Sequence, residues 1–193
     1  FSELSLSVAL GLMAILPNSN IIYVLQNARY ARVFAASRFD PAIQKSDRLK
    51  AIVDKDVDST SLKKIGSSFL HITGGHSDSS AISIPASALI VDEASFISPG
   101  VLGTFSSRLE HLKEEEKILY HFSTPLYSDM GISSLFEQGD QKYYLVWHQK
   151  CGQWVTVNPD TDYCIPGFDA PLKKLEQSDL EKYDIDGAYV RCS

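Results

Sequence analysis

Two adjacent acids, Asp92 and Glu93, follow a short apolar run and have the types and position expected of a phosphate-transfer site. The run, residues 88–91, predicts a strand buried in a sheet. In parallel α/β sheets, ligands bind beyond the carboxyl ends of the strands. One carboxylate there can hold Mg²⁺, and its neighbour can orient or deprotonate a water for attack on a γ-phosphate. A strand that runs into a solvated turn has the same pattern, so both interpretations stay open.

Two hydroxyl residues stand at the end of another predicted strand. Residues 117–122 predict this strand, and Ser123-Thr124-Pro125 follow it. In a parallel sheet the two hydroxyls would lie beside the acid pair, where they could sense a phosphate or its attacking water. A Ser/Thr turn ahead of Pro125 is the other interpretation. The chain contains no Gly-x4-Gly-Lys-Ser/Thr loop, so a nucleotide site cannot be completed from these residues alone.

The remaining apolar runs and chain breakers predict the elements that position these residues. Predicted strands cover residues 21–25, 62–65, 68–73, 88–91, 117–122 and 141–148, with the second and third forming a hairpin. Predicted helices cover residues 2–16, 28–37, 99–112 and 131–138. The first is apolar on nearly every side, so we expect it to be buried, and Asp40-Pro41 breaks the helical pattern of the second.

Strands that alternate with helices indicate an α/β fold with a mostly parallel sheet flanked by helices. We assign residues 1–147 to this core. After His148 the sequence becomes richer in Cys, Gly, Pro, Asn and Asp and loses its periodicity. Residues 148–193 are therefore expected to form a small irregular C-terminal subdomain.

Composition places the chain among soluble globular proteins. Its 193 residues include 18 Lys and Arg against 24 Asp and Glu, a formal net charge of -6. This charge argues against a basic coat over the whole chain for nucleic acid, but not against a local basic groove. The longest apolar stretch, residues 4–16, is shorter than the roughly 20 residues of a membrane span, so no membrane partner is expected.

The three cysteines lie in the C-terminal quarter and form a poor disulfide framework. His148-x2-Cys151-Gly and Cys192-Ser193 each have the form of one zinc-ribbon knuckle, in which ligands on tight turns enclose a tetrahedral ion. The second knuckle would need a further ligand just past Ser193, and within this chain Cys164 is the substitute for that fourth ligand. A structural Zn²⁺ on these four residues is one interpretation, and buried or free cysteines are the other.

Basic residues offer few candidates for DNA contacts. Arg29, Arg32 and Arg38 are spaced to lie near one helix face, where they could touch phosphates. A solvated helix face is the preferred interpretation of the same spacing. Lys63 and Lys64, at the predicted hairpin, are open to both interpretations.

The order of these motifs resembles the ATPase domain of the large terminase subunit of tailed bacteriophages, the motor that packages DNA into proheads. The resemblance covers most of residues 1–155 and is most specific in the ordered set VDEA, STP and YYLVWHQKCG. It implies a P-loop NTPase fold of the ASCE type. In that family the phosphate loop precedes a helix like the one that opens at Ser2-Glu3, so we expect this chain to be a fragment that starts just after that loop and is inactive alone.

The resemblance also implies roles for individual residues. Asp92 would bind Mg²⁺ with ATP, and Glu93 would be the catalytic carboxylate. Ser123, Thr124 and Pro125 would form the motif that couples hydrolysis to movement on DNA. Many relatives carry an arginine ahead of the acid strand, but residues 77–86 contain none. Arg108 is the nearest downstream arginine and a candidate for acting on a neighbouring subunit's nucleotide, but a solvated helix arginine is the preferred interpretation.

The expected partners follow from the same resemblance. They are double-stranded DNA, the phage portal, the small terminase subunit and further copies in a ring, all in the host cytoplasm. No cleavage activity is expected, because the acid-rich nuclease domain of the family is absent here. Two alternatives remain: a helicase or translocase ATPase of another class, and a zinc-stabilised nucleic-acid-binding module without enzymatic activity.

Overall fold

The computed structural model describes residues 2–76, 84–158, 162–170, 172–179 and 181–191. The chain divides into two compact units, residues 1–139 and residues 140–193. The change in composition and periodicity after His148 thus lies inside the second unit. None of the described helices is long and apolar enough to cross a membrane.

A six-stranded, mostly parallel sheet forms the centre of the first unit. Its strands are β1 (Asn20–Leu25), β2 (Val53–Asp58), β3 (Leu62–Ile65), β4 (Ser68–Gly74), β5 (Ala88–Asp92) and β6 (Ile118–Phe122). The strand order is β2-β3-β4-β1-β5-β6. The pairs β4·β1, β1·β5 and β5·β6 are parallel, whereas β2·β3 and the predicted hairpin β3·β4 are antiparallel. The predicted parallel core is therefore confirmed.

The two central strands are apolar because both faces of the sheet are covered. All five residues of β5 are buried, as are residues 21–25 of β1. Such continuous runs are typical of parallel strands packed on both sides. One face packs in a cluster that includes Leu6, Ala9 and Phe39, and the other packs in a second cluster. The carboxyl ends of β1 and β5 are thereby held at one edge of the sheet.

Short helices surround the sheet. They are α1 (Ser2–Ile15), α2 (Ala28–Phe34), α3 (Asp40–Lys45), α4 (Asp47–Ile52), α5 (Pro99–Ser106) and α6 (Ile132–Gln138). The expectation that the first helix is buried all round is wrong, because Leu4 and Ile15 are 56% and 74% exposed. α1 packs one face against the sheet, and the apolar residues on its other face are exposed to solvent.

The predicted break at Asp40-Pro41 is also wrong, because helical structure continues across it. A π-helical turn, Ala35–Phe39, joins α2 to α3, and Pro41 lies in the first turn of α3. Proline is tolerated in a first helical turn because that turn does not need its missing N–H. The π-turn shifts the hydrogen-bond register just before the proline, which lets the chain stay helical.

Three other elements differ from their predicted extents. The helix predicted over residues 99–112 ends at Ser106 and is followed by a 3₁₀ turn, Ser107–Leu109. The edge strand β2 has three aspartates and no alternating apolar pattern, so local sequence gave no strand signal. The strand predicted over residues 141–148 is confined to Val146–His148.

The second unit consists of short pieces. Its strands form two antiparallel pairs, β7 (Val146–His148) with β8 (Gln153–Val155) and β9 (Tyr163–Cys164) with β10 (Tyr189–Val190). Short 3₁₀ turns occupy Leu172–Lys174 and Gln177–Asp179. The expected irregular character of this part of the chain agrees with these elements.

Candidate active site

The buried carboxylate of Asp92 ends β5 and is held by side chains from two other elements. It is 2% exposed. The Tyr23 hydroxyl, on β1, donates a hydrogen bond to Asp92 Oδ2 at 2.9 Å. The Ser5 hydroxyl, on α1, donates to the same oxygen at 3.3 Å, and the Ser5 and Tyr23 hydroxyls are 2.6 Å apart. The carboxylate is therefore fixed by the packing of α1, β1 and β5.

Tyr23 remains a hydrogen-bond donor over the whole physiological pH range. Burial raises the pKa of its phenol well above the usual value, a hydrogen bond with Ser5 opposes that rise, and the negative charge of Asp92 adds to it. A phenol that stays protonated cannot repel the carboxylate beside it. Tyr23 therefore orients Asp92 without competing for its charge.

The Asp92 carboxyl group has no cationic partner among the described residues. Its other oxygen, Oδ1, accepts a hydrogen bond from the backbone N–H of Glu93 at 3.1 Å. None of the ion pairs within the described part of the chain involves Asp92. A buried carboxylate is costly unless it is paired or coordinates a metal, and carboxylate oxygens are ligands that Mg²⁺ prefers. Asp92 can therefore serve as one ligand of a divalent cation, and no group of three or more metal-ligating side chains surrounds it among the described residues.

Glu93 follows in a backbone conformation that is rare for its residue type. Its φ and ψ are 58° and 42°, in the left-handed region. Outside glycine such a conformation costs on the order of 1–3 kcal/mol and is enriched at functional sites. Asn18, Asp129 and Gln141 also have a positive φ. The turn ends β5 at once and leaves Glu93 half-buried, next to a fully buried Asp92. The two adjacent acids thus occupy different environments.

Ser123 and Thr124 lie at the same edge of the sheet as the acid pair. In the β5·β6 register Asp92 is opposite Phe122, so the two segments leave the sheet side by side. The backbone N–H of Ser95 donates to Ser123 Oγ at 3.1 Å, and the Ser95 hydroxyl donates to the carbonyl oxygen of Thr124 at 3.3 Å. The structure therefore brings together the predicted residues Asp92, Glu93, Ser123 and Thr124.

Comparison with known proteins gives the family. A family model described as the phage terminase large subunit gpA, ATPase domain, matches residues 1–192. The chain belongs to this terminase ATPase-domain family. No curated protein matches the sequence.

Solved structures of two large terminases share the fold of this terminase chain. The crystal structure of the HK97 bacteriophage large terminase matches with a TM-score of 0.57 and 11% sequence identity, over 70% of this chain and 29% of that one. The large terminase from a thermophilic bacteriophage, in its second crystal form, matches with a TM-score of 0.52 and 14% identity, over 69% of this chain and 33% of that one. The chain thus spans about a third of the length of these terminases.

Arg108 is remote from the acid pair of this terminase domain. Its carbonyl oxygen accepts a hydrogen bond from the N–H of Ala86 at 3.0 Å, and Ala86 precedes the first residue of β5. Asp92 is the last residue of the same strand. Arg108 therefore lies at the amino end of β5, opposite the candidate site.

The predicted zinc ligands are only partly assembled in the described residues of the terminase chain. The Nδ1 atom of His148 lies 3.1 Å from Cys151 Sγ across the β7–β8 turn. Cys164 is a free, partly buried thiol on β9, and no group of three or more metal-ligating side chains occurs among the described residues. Cys192 lies outside them. The four-ligand site stays a prediction.

Three predicted basic residues have structural partners in the terminase fold, namely Lys63, Arg38 and Lys64, which pairs with Asp54. Lys63 is 1% exposed, and its Nζ lies 2.6 Å from Asp40 Oδ1 and 2.6 Å from Asp58 Oδ1. Burial alone would lower the pKa of this ammonium, but the two carboxylates together raise it. Arg38 forms an ion pair with Glu3 of α1. Lys63 thus links α3 to the hairpin, and its buried ammonium group is not accessible to DNA.

Sequence reasoning missed Ser5, Tyr23 and Ser95. Ser5 and Tyr23 fall within apolar runs that predict a buried helix and a buried strand, so each is accounted for by core packing. A polar residue inside such a run was the available signal, because buried hydroxyls need hydrogen-bond partners. Ser95 is a small residue in a turn, and nothing in the local pattern marks it.

Proposed function

We propose that this chain is the ATPase core of a motor that couples ATP hydrolysis to the movement of double-stranded DNA into a phage prohead. One observation carries the proposal. Asp92 is a buried carboxylate with no cationic partner among the described residues, and it stands beside a left-handed Glu93 at the carboxyl end of β5. In a member of the terminase ATPase-domain family, that is the place where a nucleotide is expected.

In this proposal Asp92 would hold Mg²⁺. Its two oxygens accept hydrogen bonds from neutral donors only, namely the hydroxyls of Tyr23 and Ser5 and the N–H of Glu93. These bonds fix the carboxylate and use three of its roughly four lone-pair sites, which leaves one on Oδ1 for a cation. When bound with ATP, Mg²⁺ neutralises charge on the phosphates and so favours attack at the γ-phosphate.

Glu93 would orient the attacking water and take up its proton. Glu93 is half-buried after its left-handed turn whereas Asp92 is buried, so the two carboxylates can act differently although they are adjacent. Ser123 and Thr124, which are joined to the segment after Glu93 through Ser95, would respond to the presence of the phosphate. This division of roles agrees with the coupling role that the resemblance implies for the Ser-Thr-Pro motif.

The test is ATP turnover by a full-length terminase subunit that contains this chain, with and without double-stranded DNA. Glu93→Gln keeps the shape of the side chain and removes its charge, so we expect turnover to fall by about 10²–10⁴-fold, the usual contribution of a general base. Glu110→Gln is the matched control, because Glu110 is an exposed acid in a surface turn. Turnover retained in Glu93→Gln would overturn the role of Glu93.

We extend the proposal to the partners of the whole motor. The exposed residues Arg29 and Arg32 on α2 are candidates for transient contacts with DNA phosphates. The portal, the small terminase subunit and further copies in a ring would be the protein partners, and the host cytoplasm the location. Arg108, remote from its own chain's Asp92, would be free to face a neighbouring copy. DNA-stimulated ATPase activity that depends on protein concentration would support a ring.

We also propose a structural Zn²⁺ in the second unit. The close approach of His148 Nδ1 to Cys151 Sγ supports it, because both atoms are within reach of one tetrahedral ion. Cys192 and Cys164 would complete the set. Zinc measured in the purified protein at one ion per chain, and lost in Cys151→Ser, is the expected result. Protein purified without zinc and folded all the same would reject the site.

A further inference from the structure

Ser95 connects three segments at the candidate site. Besides its two bonds to Ser123 and Thr124, its hydroxyl accepts a hydrogen bond from the backbone N–H of Ile132, the first residue of α6, at 3.2 Å. One small side chain thus joins the turn after the acid pair, the Ser-Thr-Pro segment and the start of a helix. Such a shared partner makes the positions of the three segments interdependent.

The position of Ser95 is set by the left-handed turn at Glu93. Ser95 is the middle residue of the 3₁₀ turn Ala94–Phe96, which is closed by a hydrogen bond from the Phe96 N–H to the Glu93 carbonyl at 3.0 Å. A rotation of Glu93 out of its left-handed conformation would therefore swing the N–H and the hydroxyl of Ser95. A change at the catalytic carboxylate would thus reach residues 123–124 and 132 through bonds, without a larger movement of the sheet.

The close contact between Ser95 and α6 depends on a glycine. Gly131 has a φ of 58° and a ψ of -130°, which side chains strongly disfavour. A Cβ atom at Gly131 would lie 2.9 Å from Ser95 Oγ and 3.1 Å from Ser95 Cα. Any larger residue would push α6 away from Ser95. The contact therefore requires both a hydroxyl at residue 95 and a glycine at residue 131.

We propose that Ser95 is a positioning residue that transmits the state of the Glu93 turn to the Ser123-Thr124 segment and to α6. This inference rests on the proposed function, in which Glu93 acts on ATP and Ser123-Thr124 couple hydrolysis to DNA. Ser95 touches no reacting atom in this scheme and acts through its hydrogen bonds. Its loss should uncouple the motor more than it weakens nucleotide binding.

The experiment compares Ser95→Ala with the wild type in the full-length terminase subunit. The variant keeps the backbone bond to Ser123 and loses both bonds of the hydroxyl. We expect the stimulation of kcat by double-stranded DNA to fall about three- to tenfold, the range covered by neutral hydrogen bonds, with the KM for ATP unchanged within about twofold. Ser95→Thr retains the hydroxyl, so DNA should stimulate its kcat about as much as it does in the wild type.

Ser98→Ala is the matched control. The Ser98 hydroxyl accepts from the Val101 N–H at 3.5 Å as the N-cap of α5, so its removal costs a hydrogen bond in the same loop without touching residues 123–124. Stimulation by DNA that is equal in Ser95→Ala and Ser98→Ala would overturn the inference. A fall in Ser95→Ala alone would support it.

A second measurement separates this inference from the proposed function. Amide hydrogen exchange at Ile132 reports the bond to Ser95 Oγ without any need for ATP turnover. We expect faster exchange at Ile132 in Ser95→Ala, and in Gly131→Ala, than in Ser98→Ala. Unchanged exchange at Ile132 would reject the Ser95 contact even if the protein hydrolyses ATP. Absence of hydrolysis in the wild type would reject the proposed function and leave the exchange result to decide on the contact.

Discussion

Replacement of Tyr23 by phenylalanine tests the network that holds Asp92. The variant removes the hydroxyl that donates to Asp92 Oδ2 at 2.9 Å. The ring should stay in place, because it stacks on Phe34 with centroids 5.5 Å apart and meets Phe39 edge-on at 5.3 Å. The change therefore deletes a hydrogen bond without opening a large cavity.

The expected cost follows from the type of bond. A hydrogen bond to a charged group contributes about 1.5–3 kcal/mol, and Ser5 continues to donate to the same oxygen, so we expect the free energy of unfolding to fall by about 1.5–2.5 kcal/mol. For a chain of this size each kcal/mol corresponds to a decrease in Tm of about 2–4 °C. Urea unfolding followed by far-UV circular dichroism measures the change, since the described α-helices all lie within residues 2–138.

Tyr120→Phe is the control for this experiment. Tyr120 is 44% exposed on β6, and its hydroxyl makes no hydrogen bond within the described part of the chain. Its loss should change the free energy of unfolding by less than about 0.5 kcal/mol. In the full-length subunit, Tyr23→Phe should also raise the Mg²⁺ concentration needed for half-maximal ATP turnover about tenfold, as partners of metal ligands typically do. Equal stabilities of the two variants would refute the argument that Tyr23 holds Asp92.

Three further predictions concern stability. Gly74→Ala should destabilise the protein by about 3 kcal/mol or more, because a Cβ there would lie 2.1 Å from the backbone nitrogen of Ala28 at the start of α2. Gly103→Ala should instead stabilise it by up to about 1 kcal/mol, because a Cβ on that residue of α5 would meet no atom within 4 Å. Thermal unfolding compares the two variants. Burial lowers the pKa of His121, so as pH falls through 6.5 the unfolded chain takes up a proton that the folded chain does not. The free energy of unfolding should therefore fall between pH 7.5 and 5.5, and it should fall less steeply in His121→Gln. An equal slope in the wild type and the variant would contradict this. Lys63→Met should lower the free energy of unfolding by about 1–3 kcal/mol, because it leaves two carboxylates without their shared cation. Lys64→Met breaks a more exposed ion pair and should lower it by less than about 1 kcal/mol. Equal losses in chemical denaturation would show that the burial of Lys63 adds nothing to stability.

Local sequence determined much of the fold. The runs in β1 and β5 are continuous and rich in branched residues, and the hairpin of β3 and β4 is centred on Gly66, so each has a strong short-range signal. The acid pair was recognised for the same reason, since it interrupts an apolar run. The π-turn before Pro41 and the edge strand β2 lacked such signals. In both, packing against neighbouring elements outweighed local preference.

Only the tertiary structure decided what surrounds the acid pair. Ser5 and Tyr23 are 87 and 69 positions from Asp92 in the sequence, and Ser95 is 28 positions from Ser123. Their contacts depend on the strand order, which places β1 beside β5 and β5 beside β6. The ion pairs of Lys63 depend in the same way on the packing that brings Asp40 and Asp58 to its ammonium group. Short-range patterns carry no information on which distant hydroxyls and charges meet, because that is settled when the helices and strands pack together.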